Sequence, residues 1–441
     1  MPSYLSWLNN VRDAPNANRT AGRDSPPLSV LLDISPAATP PETRTGLARV
    51  AWAIAVALKA RGDVAIRTSA WGSLYASGYF ANRRDEFASV DPLDCPLPPL
   101  AATLLATARH GASPIIRRLA HRGLQVLNRT RNPLPGWRPG TTDIVHSTYS
   151  RIPARIRRSG VPFLLTLHDI TPLRLDAGIV PADQQSMMRR LVRSIAPQDW
   201  VACVSEFTRR DFLALSGHRP DRVVAILNGI DHARFRPPEP AVAKEIVARL
   251  GLGEKPYVLT LSSLAPHKNL GMLFRVWPEI RTAVPDAAFV VAGGKTTDIE
   301  RLRRTFEVPE HGGVLSTGFV SDAEFCALAA NANAFLFPSL YEGFGLPVLE
   351  AMAAGAPVIA ARSTSLPEVV GDAGLLVNPT DAAAWRDAII AALRQPKPTE
   401  PNAASLRQAS LFSWDRAAAE YVTLYRYIMT SDRPGNGRRT S

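Results

Sequence analysis

The chain has 441 residues, 46% of them hydrophobic, which is room for two domains of ordinary size with normal cores. Its formal net charge of +12 suits partners that carry negative charge, yet no nucleic-acid-binding motif accompanies it. No apolar run approaches the roughly 20 residues that a bilayer span requires. Cys95, Cys203 and Cys326 lie far apart without a CxxC pair, which argues against a disulfide framework or zinc site and suits a reducing cytoplasm.

Residues 1–27 are polar and lack the apolar segment of a secretion signal, so they read as a disordered arm. Leu28 to Ile34 predicts a first strand, followed by a Pro- and Thr-rich loop and a helix that Gly46 opens and Gly62 closes. Such a first strand–helix turn is where a sheet's opening loop meets a phosphate or an acceptor. Val64 to Thr68 predicts the second strand. Residues 80–140 show only an apolar, basic helical stretch (Leu100 to Leu127) and a Pro/Gly-rich connection (Asn132 to Gly140).

Arginines are dense between Arg109 and Arg158, which marks either a basic face for anionic lipid headgroups or a diphosphate-linked acceptor, or else a solvated surface. Asp143 to Ser147 and Val161 to Leu167 predict buried strands, and the second delivers His168 and Asp169 to its carboxyl end. That end is the ligand edge of an open α/β sheet, although a purely structural histidine is the alternative. Trp200 to Val204 predicts a strand running into Ser205, a helix cap or a crevice residue. Val223 to Leu227, the turn Asn228-Gly229-Ile230-Asp231 and a linker over Arg236 to Pro240 complete a first domain at 28–235.

From Tyr257 strands and helices alternate regularly: YVLTLSS and a helix from Asn269, AAFVVAGG and a helix from about Thr297, then VLSTGFV and SDAEFCALAANA. This succession predicts a doubly wound parallel sheet over 241–412. Lys268 sits in a loop feeding a helix, so its ammonium and that helix's N-terminus can face one diphosphate. Gly293-Gly294-Lys295-Thr296 is not a P-loop, because position 289 is Phe289. Helical patterns follow at Ala382 to Leu393 and within 413–430, and an Arg- and Gly-rich tail over 431–441 reads as disordered.

The densest signal is AFLFPSLYEGFGLPVLEAMAAGAPVIAA, residues 334–361. A strand ends at Pro338, a glycine-rich loop follows, and a helix runs from Pro347 to its stop at Gly355, before the next strand. Gly343 and Gly345 let backbone approach a ligand closely, and the amides of Phe344, Gly345 and Leu346 leave a helix N-terminus, a seat for phosphate. Glu342 and Glu350, eight apart, flank that seat. Carboxylates there call for hydrogen-bond donors such as sugar and ribose hydroxyls, which together suggest a nucleotide sugar.

This string resembles the signature of the retaining GT-B glycosyltransferases of family 4 (glycosyltransferase group 1), with Glu342 and Glu350 as the E-x7-E pair. The resemblance implies an α/β GT-B fold: two Rossmann-like, doubly wound parallel-sheet domains facing a cleft, the first for acceptor and the second for donor. It implies that Glu342 approaches the donor sugar, that Glu350 holds the ribose hydroxyls and that His168 lies close to the sugar. It further places Gly46 near the donor phosphates with Arg49 supporting its loop, Ser205 and Arg209 at the crevice, and Lys268 on the diphosphate. Gly318, Phe319 and Val320 fall where the nucleobase meets backbone. A companion arginine is replaced by Ser263, as in some mannosyltransferase-like members, and a protonated His267 would partly restore that charge. The last helix is expected to return to the first domain.

The expected chemistry is transfer with retention, by same-face attack of an acceptor hydroxyl without a protein nucleophile. No Asp-x-Asp occurs in the chain, so no metal and no cofactor are expected. The expected donor is GDP-mannose or a related GDP-deoxyhexose. The acceptor is a saccharide or lipid-linked glycan of a bacterial surface polysaccharide, met in the cytoplasm or at the inner face of the plasma membrane. Two alternatives stay open at this point: a nucleotide-sugar epimerase or hydrolase on the same fold, and a noncatalytic partner subunit.

Overall fold

A computed structural model describes residues 27–39, 46–93, 99–110, 113–130, 134, 137–176, 178–261 and 263–431. The arm expected over 1–27, save Pro27, and the tail expected over 431–441, save Ser431, lie outside these residues, as do 40–45 and Cys95.

Short runs of three to six residues form the strands, and the central ones are buried on both faces, as parallel sheets covered by helices require. The first sheet contains β1 (Leu28–Asp33), β2 (Val64–Ser69), β3 (Ile144–Ser147), β4 (Phe163–Leu167), β5 (Trp200–Cys203) and β6 (Val223–Ala225), in the order β2-β1-β3-β4-β5-β6. The second contains β7 (Tyr257–Leu261), β8 (Ala288–Ala292), β9 (Val314–Gly318), β10 (Ala334–Phe337), β11 (Val358–Ala361) and β12 (Leu375–Val377), in the order β12-β11-β10-β7-β8-β9. All pairings are parallel, with Val30 opposite Ile144 in the first sheet and Ala334 opposite Val258 in the second.

Helix α1 (Gly46–Arg61) follows β1. The single helical stretch expected over 100–127 is two helices, α2 (Pro99–His110) and α3 (Pro114–Thr130), because Pro114 starts a new helix. They pack on each other through Ala101, Leu105, Ala108, Ala120 and Leu124. Helix α4 (Glu206–Ser216) follows β5, α5 (Leu270–Ala283) follows β7, α6 (Leu346–Ala353) follows β10 and α7 (Leu366–Val370) follows β11. Pro240, read as the end of the linker, instead opens a helix to Arg249 whose Ala243 and Ile246 pack on Ala327 of the second lobe.

The last helix, α8 (Trp414–Ser431), crosses back as expected and completes one face of the first sheet. Its Tyr421, Leu424, Tyr425 and Ile428 join Val50, Ile54 and Leu58 of α1 in one core. Two buried phenols need partners there. The Tyr425 hydroxyl meets His146 Nδ1 at 2.7 Å, His146 Nε2 meets Thr166 Oγ1 at 2.8 Å, and Thr166 Oγ1 meets the Tyr421 hydroxyl at 2.9 Å. Burial holds the His146 imidazole neutral, its pKa pushed down to about 3. The second chain crossing, before α8, lies against the first: a side chain at Gly229 would overlap the backbone of Ser413 and Trp414, and His232 Nε2 donates to the Phe412 carbonyl at 2.9 Å.

Unfolding frees His146 to take a proton below its ordinary value of 6.5, so its contribution is full above that pH and is lost as pH falls toward about 3. Tyr425→Phe strands the imidazole and is expected to cost about 1–3 kcal/mol, read as a lower urea midpoint at unchanged slope at pH 7.

Candidate active site

The order of the second sheet reverses between β7 and β10, and the loops leaving these neighbouring strands part there to form a crevice. One loop carries Lys268 and the other Glu342, which is why residues 74 apart meet: Lys268 Nζ donates to Glu342 Oε1 at 2.7 Å. Asn269 makes this junction rigid. It adopts a left-handed conformation (φ 57°), and its side-chain amide donates to the carbonyls of Pro338 (3.2 Å) and Pro379 (2.9 Å). Helices α5 and α6 both start here from left-handed residues, Asn269 and Gly345, and no side chain caps either one. One ammonium and two helix N-termini therefore converge on one crevice, a strong field for an anion.

The loop bearing Glu342 is held from two sides. Within its own lobe, the Glu342 amide donates to Thr364 Oγ1 (2.9 Å), and Ser365 Oγ donates to the carbonyls of Glu342 (3.0 Å) and Phe344 (2.9 Å). Thr364 is itself left-handed (φ 49°), rare for a β-branched residue and a sign of strain kept for position. From the first lobe, Ser205 Oγ and Thr208 Oγ1 donate to the Gly343 carbonyl at 2.7 and 3.0 Å.

The glycines of this loop are required by the fold itself. A side chain at Gly343 would overlap the His168 carbonyl oxygen, so glycine there lets the two lobes touch. Gly345 needs glycine for its own backbone (φ 109°). Ser205 is fully buried and caps α4 through the Thr208 amide, so it acts on the loop through Gly343. Arg209 pairs with Glu206 at 2.9 Å. Phe344 is buried against Phe412 and Leu346 is half-buried at the start of α6. Gly46 begins α1, with open space where a side chain would stand.

His168 ends β4 and is 8% exposed. Its Nε2 meets the Thr148 carbonyl at 2.7 Å, which requires the proton on that nitrogen and leaves Nδ1 as an acceptor. Burial lowers its pKa, so the ring is neutral. His267 does not supply the second cation that the missing arginine would have given: burial, with Lys268 beside it, lowers its pKa as well. Ser263 and Val320 are half-buried after β7 and β9. Val320 packs on the second lobe's core beside Phe319, which is 85% exposed. Strand β9 lies two places from β7, roughly 10 Å across the sheet, a reach that suits the far end of a nucleotide.

Glu350 in α6 is 4% exposed and its partner comes from the other lobe: an Arg49 guanidinium nitrogen lies 2.5 Å from Oε1. The same guanidinium stands 5.0 Å above the Phe235 ring. Burial pushes the Glu350 carboxyl up to about 7 although Arg49 pulls it down. Sequence reasoning missed further interlobe partners. Glu368 accepts from the amides of Glu206 (2.8 Å) and Phe207 (2.6 Å) at the start of α4, and the Tyr341 hydroxyl meets Asp211 at 2.5 Å. The available signal was the polar run Ser363-Thr364-Ser365 after β11, another loop at the carboxyl edge. Among the described residues no group of three or more His, Cys, Asp or Glu side chains could hold a metal.

Two parallel six-stranded sheets with carboxyl-edge loops pressed together across a crevice define the GT-B fold. Residues 44–234 match the family model described as Glycosyltransferase Family 4, and residues 255–395 the one described as Glycosyl transferases group 1. The chain belongs to this glycosyltransferase family. It is similar to O-antigen chain mannosyltransferase B of Escherichia coli, 30% identical over 292 residues covering 65% of this chain and 74% of that protein. It is also similar to the GDP-mannose-dependent alpha-(1-6)-phosphatidylinositol monomannoside mannosyltransferase of Mycolicibacterium smegmatis, 35% identical over 228 residues, 49% of this chain and 58% of that one. In fold it is similar to HepE of Anabaena, solved in complex with UDP and glucose, with a TM-score of 0.62 and 16% identity over 91% of this chain and 100% of that chain.

Gly343→Ala forces the loop off the His168 carbonyl and so should part the lobes. The expected outcome is a larger radius of gyration by small-angle scattering and a loss of turnover of at least about tenfold, since misplacing the site by about 1 Å can cost ~100-fold.

Proposed function

We propose that the protein transfers mannose or a related deoxyhexose, with retention, from a nucleoside diphosphate, GDP by preference, to a hydroxyl of a saccharide or lipid-linked acceptor in bacterial surface polysaccharide synthesis. The observation that carries this reading is the Lys268–Glu342 pair beside the two uncapped helix N-termini at the switch point. As the bond from the anomeric carbon to the diphosphate breaks, negative charge grows on the leaving oxygen, and Lys268 with the starts of α5 and α6 opposes it. That field needs no metal ion.

Glu342, already oriented by Lys268 and Thr364, accepts from sugar hydroxyls, and the free Nδ1 of neutral His168 accepts another. The acceptor hydroxyl attacks from the face the diphosphate leaves, and its proton passes to the departing phosphate oxygen. Glu350 takes the ribose hydroxyls in place of Arg49. The Escherichia coli O-antigen mannosyltransferase and the GDP-mannose-dependent Mycolicibacterium smegmatis enzyme, to which the chain is similar, favour mannose, GDP and a surface glycan.

Purified protein given GDP-mannose and an acceptor in the presence of a chelator should form an α-linked product. Product from donor and water alone would favour a hydrolase or epimerase, and no turnover with any donor would favour a noncatalytic subunit. In a thermal-shift screen of UDP-, GDP-, ADP- and dTDP-sugars, the GDP-sugar should give the largest shift. Lys268→Ala or Glu342→Ala should lower kcat by ~100-fold or more in protein that still unfolds cooperatively.

Ribose hydroxyls donate to an ionised Glu350, so donor affinity should rise as pH increases through about 7 and become flat in Glu350→Gln. A pH-independent wild-type Kd would remove Glu350 from the ribose.

A further inference from the structure

We propose that the outer face of α3 is the surface by which this enzyme lies on an anionic bilayer, a proposal that rests on the lipid-linked acceptor of the function proposed above for its purpose. Helix α3 turns Ala120 and Leu124 inward onto α2 and leaves residues 114–119 exposed in succession. On a helix that covers a core with one face, the other face is normally polar. Here it carries Ile115 and Leu119, which are 68% and 59% exposed, with Ile116 at 47% on the flank of the helix.

At 100° per residue, Ile115, Arg118, Leu119 and Arg122 fall on one side, opposite Ala120 and Leu124. Apolar side chains mixed with arginines on one exposed stripe are what an interfacial helix presents to lipid: the apolar groups enter the acyl boundary and the guanidinium groups stay at the phosphates. Leu100, at the start of α2, adds a further apolar side chain at 58% exposure.

The charge pattern selects the occupant. Between Asp94 and Asp143 the sequence has seven arginines and no Asp or Glu, so nothing along this stretch offsets the positive potential. A second copy of the chain would bring the same charge and be repelled. A surface of anionic headgroups is complementary, and each arginine near it is worth roughly fivefold in partition. The hairpin's core contacts are with Leu74 rather than with Lys268, Glu342 or Glu350, so docking and catalysis are separable.

The test is sedimentation of the full-length protein with phosphatidylglycerol–phosphatidylethanolamine vesicles against phosphatidylcholine vesicles. Wild type should bind the anionic vesicles at least about tenfold better, with binding weakened by added salt. Arg118→Glu/Arg122→Glu and Ile115→Ser/Leu119→Ser should each reduce it at least about tenfold at unchanged Tm and unchanged turnover of a water-soluble acceptor. Equal binding to both vesicles, wild-type binding by the folded arginine variant, or a dimer in solution that buries α3 without vesicle binding would each overturn the proposal. Turnover in solution is read separately, so a failed vesicle assay leaves the enzymatic reading standing, and an inactive protein that binds vesicles leaves the docking surface standing.

Discussion

A carboxylate taken out of water must find a charge or amide donors, and here two carboxylates of the second lobe find theirs only across the crevice. Glu350 meets Arg49, and Glu368 meets the first amides of α4. Their burial is costly, so the contacts that repay it bind the lobes in one arrangement. The Gly343 carbonyl, accepting from two hydroxyls of the first lobe, adds a third such tie on the loop that carries Glu342. The site is thus formed by closure.

The two halves of the crevice contribute different chemistry. Loops of the second sheet supply charge and helix ends held by ties within the second lobe, such as those of Asn269 and Thr364. The first lobe supplies, beside the Arg49 guanidinium, neutral groups: His168 keeps its proton on Nε2 through Thr148, and the hydroxyls of Ser205 and Thr208 donate to the loop. A neutral histidine held in this way offers its Nδ1 as an acceptor without adding positive charge to the crevice.

Much of this was legible in the sequence where a signal is local. The strand Ala334–Phe337, the helix at Ala382–Leu393, the start of α1 at Gly46 and the placement of Lys268 and Glu342 at strand ends all follow from apolar runs and Gly/Pro punctuation. What depends on partners far along the chain was not legible. Glu368 lies 162 residues from the amide of Glu206 that it accepts from, and no local pattern announces that pairing. Ser205 reads equally as a cap or a crevice residue until Gly343 is seen above it. The contact of Gly343 with the His168 carbonyl was likewise not announced, because a close approach makes the same demand for glycine whether a ligand or another lobe's backbone comes near.

The chain passes between the lobes twice, and at Gly229, His232, Phe412 and Ser413 the two passages lie in contact. Paired tethers of this kind leave one easy motion, a swing about the line they share, and resist sliding or twisting. The cleft mouth therefore travels farthest when the molecule gapes, whereas Glu350 and Arg49 must separate along an arc. Re-entry of the lobes onto the same register after each turnover is then built into connectivity rather than left to diffusion.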